Sequence, residues 1–308
     1  MTHLVAVTGA TGYVGRFVIP SLQQQGMMVR ALRRPESDCR GFTGAIEWVI
    51  GDLRSNDALT RLVQGASAVI HLAYEHVPGS YRGGEGDDLE GWLTANLYGS
   101  LQLLQLAVQA NVEQFVFLSS RAVFSQTEVG RELDESHAVN PNTHYGAYKA
   151  AVEAFLSSFG QLGKIRTCAI RTTGVYGITW PAERSKWWDL VQAVLNDEPI
   201  TLARGGTEVH GSDVAKVISQ VLRHSESQVD VIHMSDIYIT THDLVRRIRD
   251  YADRPGSLPP QAATYPSNPL VCNRLTAMGV ELGGRPLFER TIAEMVQIAL
   301  ARHPSKSE

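Results

Sequence analysis

The chain has 308 residues, of which 44% are apolar and 19% are charged, and its formal net charge is -4. This composition is typical of a soluble globular protein, and the length allows a large buried core. The weak negative charge provides no overall basic field for a nucleic acid, and no apolar run approaches the ~20 residues that a membrane-spanning helix needs.

The cysteines and the first residues of the chain indicate a cellular compartment. Cys39, Cys168 and Cys272 are odd in number and far apart, so they form neither a disulfide framework nor a metal-ligand pattern. The segment MTHLVAVTGATG lacks the basic region and the long apolar core of a signal peptide. We therefore predict a cytoplasmic protein without a metal site, which binds neither nucleic acid nor membrane.

The first half of the chain alternates short apolar runs with longer helical patterns. Strands are predicted at 3–9, 27–33, 46–52, 67–73, 114–120 and 164–172. Helices are predicted at 13–26, 56–64, 91–110 and 143–160. Near-continuous apolar strands that alternate with helices favour an α/β fold with a Rossmann-type, doubly wound parallel sheet.

This rhythm changes after about residue 174. The later elements are helices near 185–196, 211–224, 241–252 and 287–302, a strand at 229–236 and a Pro/Gly/Ser-rich loop at 254–269. We predict about seven strands in the sheet. The predicted domains are a dinucleotide-binding domain at 1–173, to which 211–236 return, and a smaller, interleaved substrate lobe at 174–210 and 237–308.

The segment TGATGYVG (8–15) follows the first strand and opens the first helix. Its glycines allow a tight turn and a close approach of backbone N–H groups to a pyrophosphate, which the positive end of the helix dipole attracts. A simple strand–helix turn is the alternative, but the strand–turn–helix context favours a dinucleotide site. The predicted cofactor-binding residues of this loop are Gly9, Thr11, Gly12, Tyr13, Val14 and Gly15.

The ends of the second and third strands bear on the choice of cofactor. An NAD site commonly has an acidic residue at the end of the second strand, whereas this chain has Arg33 and Arg34 there. Arginine suits a 2′-phosphate, so we favour NADP, with NAD possible if these arginines only face solvent. Asp52 and Leu53 follow the third strand, and Asp52 could bind the adenine amino group or mark a helix start.

The segment YGAYK places Tyr145 four residues before Lys149 in a predicted helix. Residues at i and i+4 share one helical face, so the two side chains are neighbours. A nearby ammonium lowers the pKa of a phenol from its ordinary value of about 10, which makes Tyr145 a candidate general acid/base. The alternative is that Tyr145 packs in the core and Lys149 is a surface charge.

Eight segments in chain order resemble the extended short-chain dehydrogenase/reductase superfamily, which includes NAD(P)-dependent sugar epimerases and dehydratases. They are TGATGYVG (8–15), GDL (51–53), HLA (71–73), Asn96, LSS (118–120), YGAYK (145–149), RTTGVYG (171–177) and VHGSDVAKV (209–217). The resemblance covers nearly the whole chain.

The resemblance implies a set of site residues. The implied catalytic residues are Ser120, Tyr145 and Lys149, with Ser120 matching the family's serine better than Ser119 does. The further implied cofactor-binding residues are Leu72, Ala73, Asn96, Tyr145 and Lys149. Asn96 is expected to orient backbone or water near Lys149, although a buried, hydrogen-bonded structural asparagine is the alternative.

Departures from the family pattern limit the class of substrate and of reaction. No Asp–Glu pair follows Ser120, so a dehydratase is disfavoured, and of the expected pyrophosphate-binding arginines only Arg204 is present, offset. A substrate smaller than a nucleotide sugar is therefore favoured, since a buried pyrophosphate without cationic partners is costly. The predicted substrate-binding residues are Tyr74, Arg121, Thr173 and Trp180, with surface or core roles as alternatives for Arg121 and Trp180.

The sequence favours an NAD(P)-dependent oxidoreductase that interconverts an alcohol and a ketone on a small polar, sugar-derived molecule. A nucleotide-sugar epimerase and a non-catalytic dinucleotide sensor are the alternatives. The helix at 92–108 is apolar over more than one stripe, and Val152, Phe155 and Leu156 of the helix at 143–160 add to its apolar surface. The family resemblance implies that these two helices pair with their copies in a homodimer, whereas coverage by the small lobe is the alternative.

Overall fold

A computed structural model describes residues 3–77, 79, 83–124, 127–223, 231–263 and 265–302. The strands are β1 Leu4–Thr8, β2 Met28–Arg33, β3 Ile46–Ile50, β4 Ala68–His71, β5 Gln114–Ser120, β6 Arg166–Thr172, β7 Gly174–Tyr176, β8 Gly205–His210, β9 Val231–Met234 and β10 Ile237–Thr240. The α-helices are α1 Gly15–Gln24, α2 Asn56–Val63, α3 Leu89–Leu93, α4 Gly99–Gln109, α5 His144–Gln161, α6 Trp188–Leu195, α7 Gly211–Arg223, α8 Thr241–Ala252, α9 Asn273–Ala277 and α10 Gly284–Arg302.

The main sheet is the predicted doubly wound sheet. Seven strands lie in the order β3-β2-β1-β4-β5-β6-β9, and each neighbouring pair is parallel. The strand order reverses between β1 and β4, and such a switch point opens a cleft at the carboxyl ends of the strands. The predicted α/β fold and strand number are confirmed.

Helices cover both faces of this sheet. On one face, α1 and α7 bury Ile19, Leu22 and Ile218 against the strands. On the other face, α2, α4 and α5 bury Leu59 and Leu103, among others. The strands are apolar throughout because neither face meets water.

A second, smaller sheet has the order β10-β8-β7. Its core is separate from those of the main sheet and includes side chains of α6, α8 and α10, such as Val191, Ile248 and Phe288. The short helix α9 instead packs near β9, where Leu275 joins the core of the main sheet. The chain therefore returns to the main sheet before α10 begins.

The helix predicted at 91–110 is interrupted, which corrects the prediction of one continuous element. A π-helical turn, Thr94–Tyr98, separates α3 from α4. At the start of α4, a Cβ on Gly99 would lie 2.6 Å from the Leu53 carbonyl oxygen, so the helix approaches the loop after β3 closely. Such π turns widen a helix locally and often occur at functional sites.

The surface proposed for dimerisation is only partly available. Val152 and Leu156 are buried within the protomer, so they cannot also contact a second copy. Phe155 and Tyr98 are exposed, and α3, the π turn and α4 line an apolar groove of about 590 Å³. Within the described residues, no helix combines the length and the apolar character that crossing a membrane requires.

Candidate active site

The turn between β1 and α1 has the geometry of a phosphate-binding loop. It contains all six predicted residues: Gly9, Thr11, Gly12, Tyr13, Val14 and Gly15. Gly9 has φ +72°, and a Cβ there would lie 2.6 Å from the Ala73 backbone nitrogen. A Cβ on Gly15 would lie 2.3 Å from the Ala10 carbonyl oxygen. Only glycine fits at both positions, so the loop lies close to the residues that follow β4.

The Tyr13 side chain has a role that sequence reasoning missed. Its hydroxyl donates to the Gly177 carbonyl oxygen at 2.7 Å and accepts from the Lys186 backbone N–H at 3.2 Å. Both partners belong to the segment that follows β7. The side chain therefore ties the phosphate loop to the smaller part of the molecule.

Arg33 and Arg34 lie where the sequence predicts them, at the end of β2. The Nη1 of Arg33 donates to the carbonyl oxygens of Arg34 and Pro35, whereas its Nε is buried and has no hydrogen-bond partner among the described residues. Arg34 is largely exposed and pairs with Glu36 at 3.0 Å. This edge of the cleft therefore presents guanidinium donors, with one carboxylate close to them.

Arg16 is a further residue at this edge that the sequence analysis did not single out. It is buried and donates to the carbonyl oxygens of Asp38 and Arg40 at 2.7 and 2.9 Å. These bonds fix the loop after β2. Trp180, predicted to bind substrate, packs against this loop: its ring lies 5.3 Å from the Arg40 guanidinium carbon and close to Gly41.

The remaining predicted cofactor residues line the ends of β3 and β4. Asp52 accepts from the Arg54 N–H at 2.9 Å and from the Ser55 hydroxyl at 3.1 Å, and thereby helps to start α2. Leu53 is buried beside this turn. The N–H groups of Leu72 and Ala73 donate to the carbonyl and the hydroxyl of Thr8, at 3.2 and 3.3 Å. These contacts hold the cleft together at the switch point.

The first turn of α5 lies against the residues that follow Ser120. The Thr143 hydroxyl caps the helix by accepting from the Gly146 N–H at 3.0 Å. A Cβ on Gly146 would lie 2.1 Å from the Ala122 carbonyl oxygen, so a larger residue would push the helix away. Ser120 ends β5 and its hydroxyl accepts from the Ala122 N–H at 3.1 Å. Gly146 therefore allows Tyr145 and Ser120 to stand on adjoining elements.

Lys149 is buried and is not a surface charge. Its ammonium donates to the Leu118 carbonyl oxygen at 2.7 Å and lies 4.4 Å from the centre of the Phe117 ring and 5.7 Å from that of Tyr145. Burial lowers the Lys149 pKa to about 7, while the charge of Glu153 opposes this shift. The group can therefore gain or lose a proton near neutral pH.

Aromatic rings surround the Tyr145–Lys149 pair. The Tyr74 ring, predicted to contact substrate, lies 4.9 Å from that of Tyr145 and stacks on His76 at 5.0 Å. Tyr148 is fully buried, and its ring lies 4.9 Å from the Lys149 ammonium. Tyr74 and Tyr145 are thus brought together, whereas Tyr148 belongs to the core.

Asn96 is fully buried in the π turn. Its Oδ1 accepts from the Glu75 N–H at 2.8 Å, and its Nδ2 donates to the carbonyl oxygens of Glu75 and Trp92 at 2.9 and 3.0 Å. These bonds hold the backbone beside Tyr74. Asn96 therefore holds the loop after β4, as expected for the alternative of a buried, hydrogen-bonded structural asparagine, and its role near Lys149 stays a prediction.

Arg121 and Thr173, two more predicted substrate residues, donate to backbone carbonyl oxygens of segments that are distant in the chain. Arg121 donates from Nη2 to the Asn268 carbonyl oxygen at 3.1 Å. Thr173 donates to the Met234 carbonyl oxygen from its backbone N–H at 3.0 Å and from its hydroxyl at 3.4 Å. These bonds link the cleft to the segments around β9 and before α9.

His71 is a buried site residue that the sequence analysis did not use. Its Nδ1 contacts the Thr8 hydroxyl at 2.6 Å and its Nε2 contacts the Ser100 hydroxyl at 2.7 Å. Burial, with help from the Lys149 charge, lowers the His71 pKa to about 3, so the ring is neutral at physiological pH. The His71 ring therefore links β4 to Thr8 of β1 and to Ser100 of α4. The sequence feature that could have identified this residue is a histidine at the end of an otherwise apolar strand.

The comparisons with known proteins agree with this architecture. The chain is 33% identical over 150 residues to a "Putative dihydroflavonol 4-reductase" of Synechocystis, which is 48% of this chain and 42% of the relative. It is 24% identical over 266 residues to the "UDP-glucose 4-epimerase" of Vibrio cholerae, covering 83% of this chain and 77% of the relative. The chain thus spans less than half of the reductase and about three quarters of the epimerase.

Among solved structures, the UDP-glucose 4-epimerase of Thermus thermophilus, in complex with NAD, matches with a TM-score of 0.78. The alignment covers 96% of this chain and 98% of the epimerase at 23% identity, which supports the same fold. The model of the NAD dependent epimerase/dehydratase family matches residues 5–234. The resemblance found in the motifs is therefore confirmed: the chain belongs to the NAD dependent epimerase/dehydratase family of the extended short-chain dehydrogenase/reductase superfamily.

Proposed function

We propose that the protein is an NAD(P)-dependent oxidoreductase that interconverts an alcohol and a ketone on a small polar, sugar-derived substrate. The observation that carries this proposal is the Tyr145–Lys149 pair on α5, held against the turn that follows Ser120 at the carboxyl edge of the sheet. Open α/β sheets bind their ligands at this edge. A phenol, an ammonium and a hydroxyl then converge on one side of the cleft.

Each of the three side chains has a distinct task in this proposal. Tyr145 gives or takes the proton at the reacting oxygen of the substrate, as a general acid/base. Ser120 donates a hydrogen bond to the same oxygen and orients it. The Lys149 ammonium favours the phenolate form of Tyr145, and the surrounding rings exclude water and strengthen that interaction. A bound nicotinamide would supply the hydride transfer.

The residues of the phosphate loop fit a dinucleotide. The close contacts at Gly9 and Gly15 require glycine at both positions and let the loop backbone turn tightly beside the residues that follow β4. At the adenosine end, the Arg33 guanidinium at the end of β2 and the exposed Arg34 favour a 2′-phosphate. Glu36, already paired with Arg34, keeps NAD possible. We therefore propose NADP as the preferred cofactor.

The positions of the two arginines considered for substrate binding favour a compact substrate. Arg121 binds the Asn268 carbonyl oxygen, and Arg204 is exposed at the start of the second sheet. A pyrophosphate group in the cleft would need cationic partners of its own. The long alignment with UDP-glucose 4-epimerases nevertheless makes a nucleotide-sugar epimerase the second candidate.

Single-turnover spectroscopy tests these proposals. The protein is mixed with stoichiometric NADP or NAD and a panel of alcohols, sugars and nucleotide sugars. A dehydrogenase releases reduced cofactor stoichiometrically with one panel member, whereas an epimerase isomerises its substrate without net reduction. Tight cofactor binding with neither product would contradict both proposals and favour a non-catalytic dinucleotide sensor.

A further inference from the structure

Glu153 lies one helical turn beyond Lys149 on α5, inside the protein. Its carboxylate accepts a short hydrogen bond from the Ser119 hydroxyl, through Oε1. Its Oε2 accepts from the Arg171 Nε at 3.1 Å and from the Arg171 Nη2 at 2.7 Å. The side chains of Glu153 and Arg171 are each only 6% exposed. A buried carboxylate with this many partners is held in one orientation.

Three consecutive residues of β5 connect this carboxylate to the proposed catalytic groups. Leu118 accepts the Lys149 ammonium on its carbonyl oxygen, Ser119 donates to Glu153, and Ser120 lies at the cleft. Since Tyr145, Lys149 and Glu153 are spaced four residues apart, the same helical face meets the strand at each turn. Residues 118–120 and this face of α5 therefore form one hydrogen-bonded unit.

Titratable groups from several neighbouring elements face this unit. On β9, His233 contacts the Arg171 Nη1 at 3.4 Å, and burial lowers the His233 pKa to about 4 despite the opposing charge of Glu135. On β4, His71 is neutral, and the phenols of Tyr74 and Tyr148 adjoin Lys149 from the loop after β4 and from α5.

Within the described part of the chain, Glu153 supplies the carboxylate charge that acts on Lys149. Arg171 compensates this charge from the side of β6, and in doing so orients the carboxylate. An ammonium that is buried among aromatic rings needs such a negative charge to stay protonated.

We propose that Glu153 is a positioning residue that raises the proton affinity of Lys149 through its carboxylate charge, which Ser119 and Arg171 orient. The consequence for catalysis rests on the proposed function of Tyr145 and Lys149. The effect on the protonation of Lys149 does not, because it follows from the charges alone.

Nuclear magnetic resonance on the cofactor-free protein tests the proposal without a substrate. The chain has only five lysines, so the ε-carbon signals of protein labelled with ¹³C-lysine can be followed against pH, and Lys149→Met assigns one of them. In Glu153→Gln we expect the proton affinity of Lys149 to fall about tenfold or more, since a full negative charge one turn away is lost. The matched control, Ser119→Ala, removes a hydrogen bond from the same carboxylate but no charge, and should leave the Lys149 titration near that of the wild type.

The charge-free double variant Glu153→Gln with Arg171→Met guards against misfolding, because the single variant leaves Arg171 buried without its partner. A lower proton affinity of Lys149 in either folded variant supports the proposal, and an unchanged titration in the folded variants overturns it. With an identified substrate, the alkaline limb of the pH profile of kcat/KM should also move to lower pH in Glu153→Gln. A purely packing role would lower activity without moving that limb.

Discussion

The phosphate loop and helix α5 lie at the same edge of the sheet, but they are built differently. The loop occupies the consecutive residues 8–15, and backbone contacts at Gly9 and Gly15 define it. The helix depends on side chains from distant parts of the chain, such as the Ser119–Glu153 bond and the Glu153–Arg171 pair. The difference is that the geometry of the loop rests on local backbone contacts, whereas the surroundings of the buried Lys149 ammonium require side chains from several strands.

The ion pairs of the two regions also differ in energy. Arg34 and Glu36 are mostly exposed, so their pair contributes little and water competes for both groups. Glu153 and Arg171 are almost fully buried, and removing one partner of such a pair costs about 3–5 kcal/mol. Arg34 therefore remains available to a ligand, whereas Arg171 serves the protein itself.

The largest expected effect separates catalysis from cofactor binding. Tyr145→Phe should lower turnover by roughly 10²–10⁴-fold, because general acid–base catalysis is lost. Cofactor affinity, measured by calorimetry, should hardly change, since the phosphate loop is intact. Tyr148→Phe is the matched control, because that phenol is buried in the core and should affect turnover little. Near-normal turnover of Tyr145→Phe would remove Tyr145 from the mechanism.

The next largest effect concerns the cofactor preference, which we expect to depend on the residues at the end of β2. Replacing Arg33 and Arg34 together with alanine should erase a preference for NADP over NAD of roughly 1.5–3 kcal/mol, or about one to two decades in affinity. Binding of NAD should stay nearly constant in calorimetric titrations. Arg61→Ala, on the outer surface of α2, is a control that should not alter the preference. Equal affinities of the wild type for both cofactors would show that the two arginines only face solvent.

A third effect concerns the stability in acid of the region around His71 and Lys149. The folded pKa of His71, about 3, is below its ordinary value of 6.5, so the unfolded chain binds more protons between these values. The free energy of unfolding should therefore fall as the pH falls through this window, by ~1.4 kcal/mol for each pH unit that one such histidine titrates. Urea unfolding of the wild type and of His71→Gln measures this slope, which should be smaller in the variant.

The exposed His3 provides the control for that experiment. His3→Gln should retain the pH dependence of the wild type, because His3 is exposed and its side chain makes no buried contact, among the residues that the structure describes, that unfolding would break. Two other buried histidines, His210 and His233, have pKa values lowered to about 4 and act in the same direction. An equal slope in wild type and His71→Gln would show that these two dominate the acid response.

The smallest expected effect concerns assembly. It involves the surface near α5 and not the phosphate loop. The apolar groove lies along α3, the π turn and α4, and Phe155 of α5 is exposed as well. We expect a homodimer through this surface, with light scattering showing twice the protomer mass at micromolar concentration. Tyr98→Arg should shift the equilibrium towards monomers, whereas Leu162→Arg, on an exposed residue after α5, should not. A monomeric wild type would count against this surface.

The elements that the sequence predicted well depend on short-range rules. The alternation of apolar strands with helices predicted the seven-stranded sheet, because a strand covered on both faces must be apolar throughout. The break in the helix at 91–110 was not predicted, because weak helix formers such as Asn96 and Gly99 also occur inside continuous helices. The π turn exists where Asn96 reaches back to the Glu75 backbone, a contact made between elements.

The sequence by itself determined the phosphate loop and the Tyr145–Lys149 spacing, since both depend on backbone geometry over a few residues. Only the tertiary structure decided which partners the buried polar groups have. It joined Glu153 to Ser119 and Arg171, His71 to Thr8, and Tyr13 to Gly177. A buried polar group must find its hydrogen bonds within the protein, and packing selects those partners from residues that are far apart in the chain.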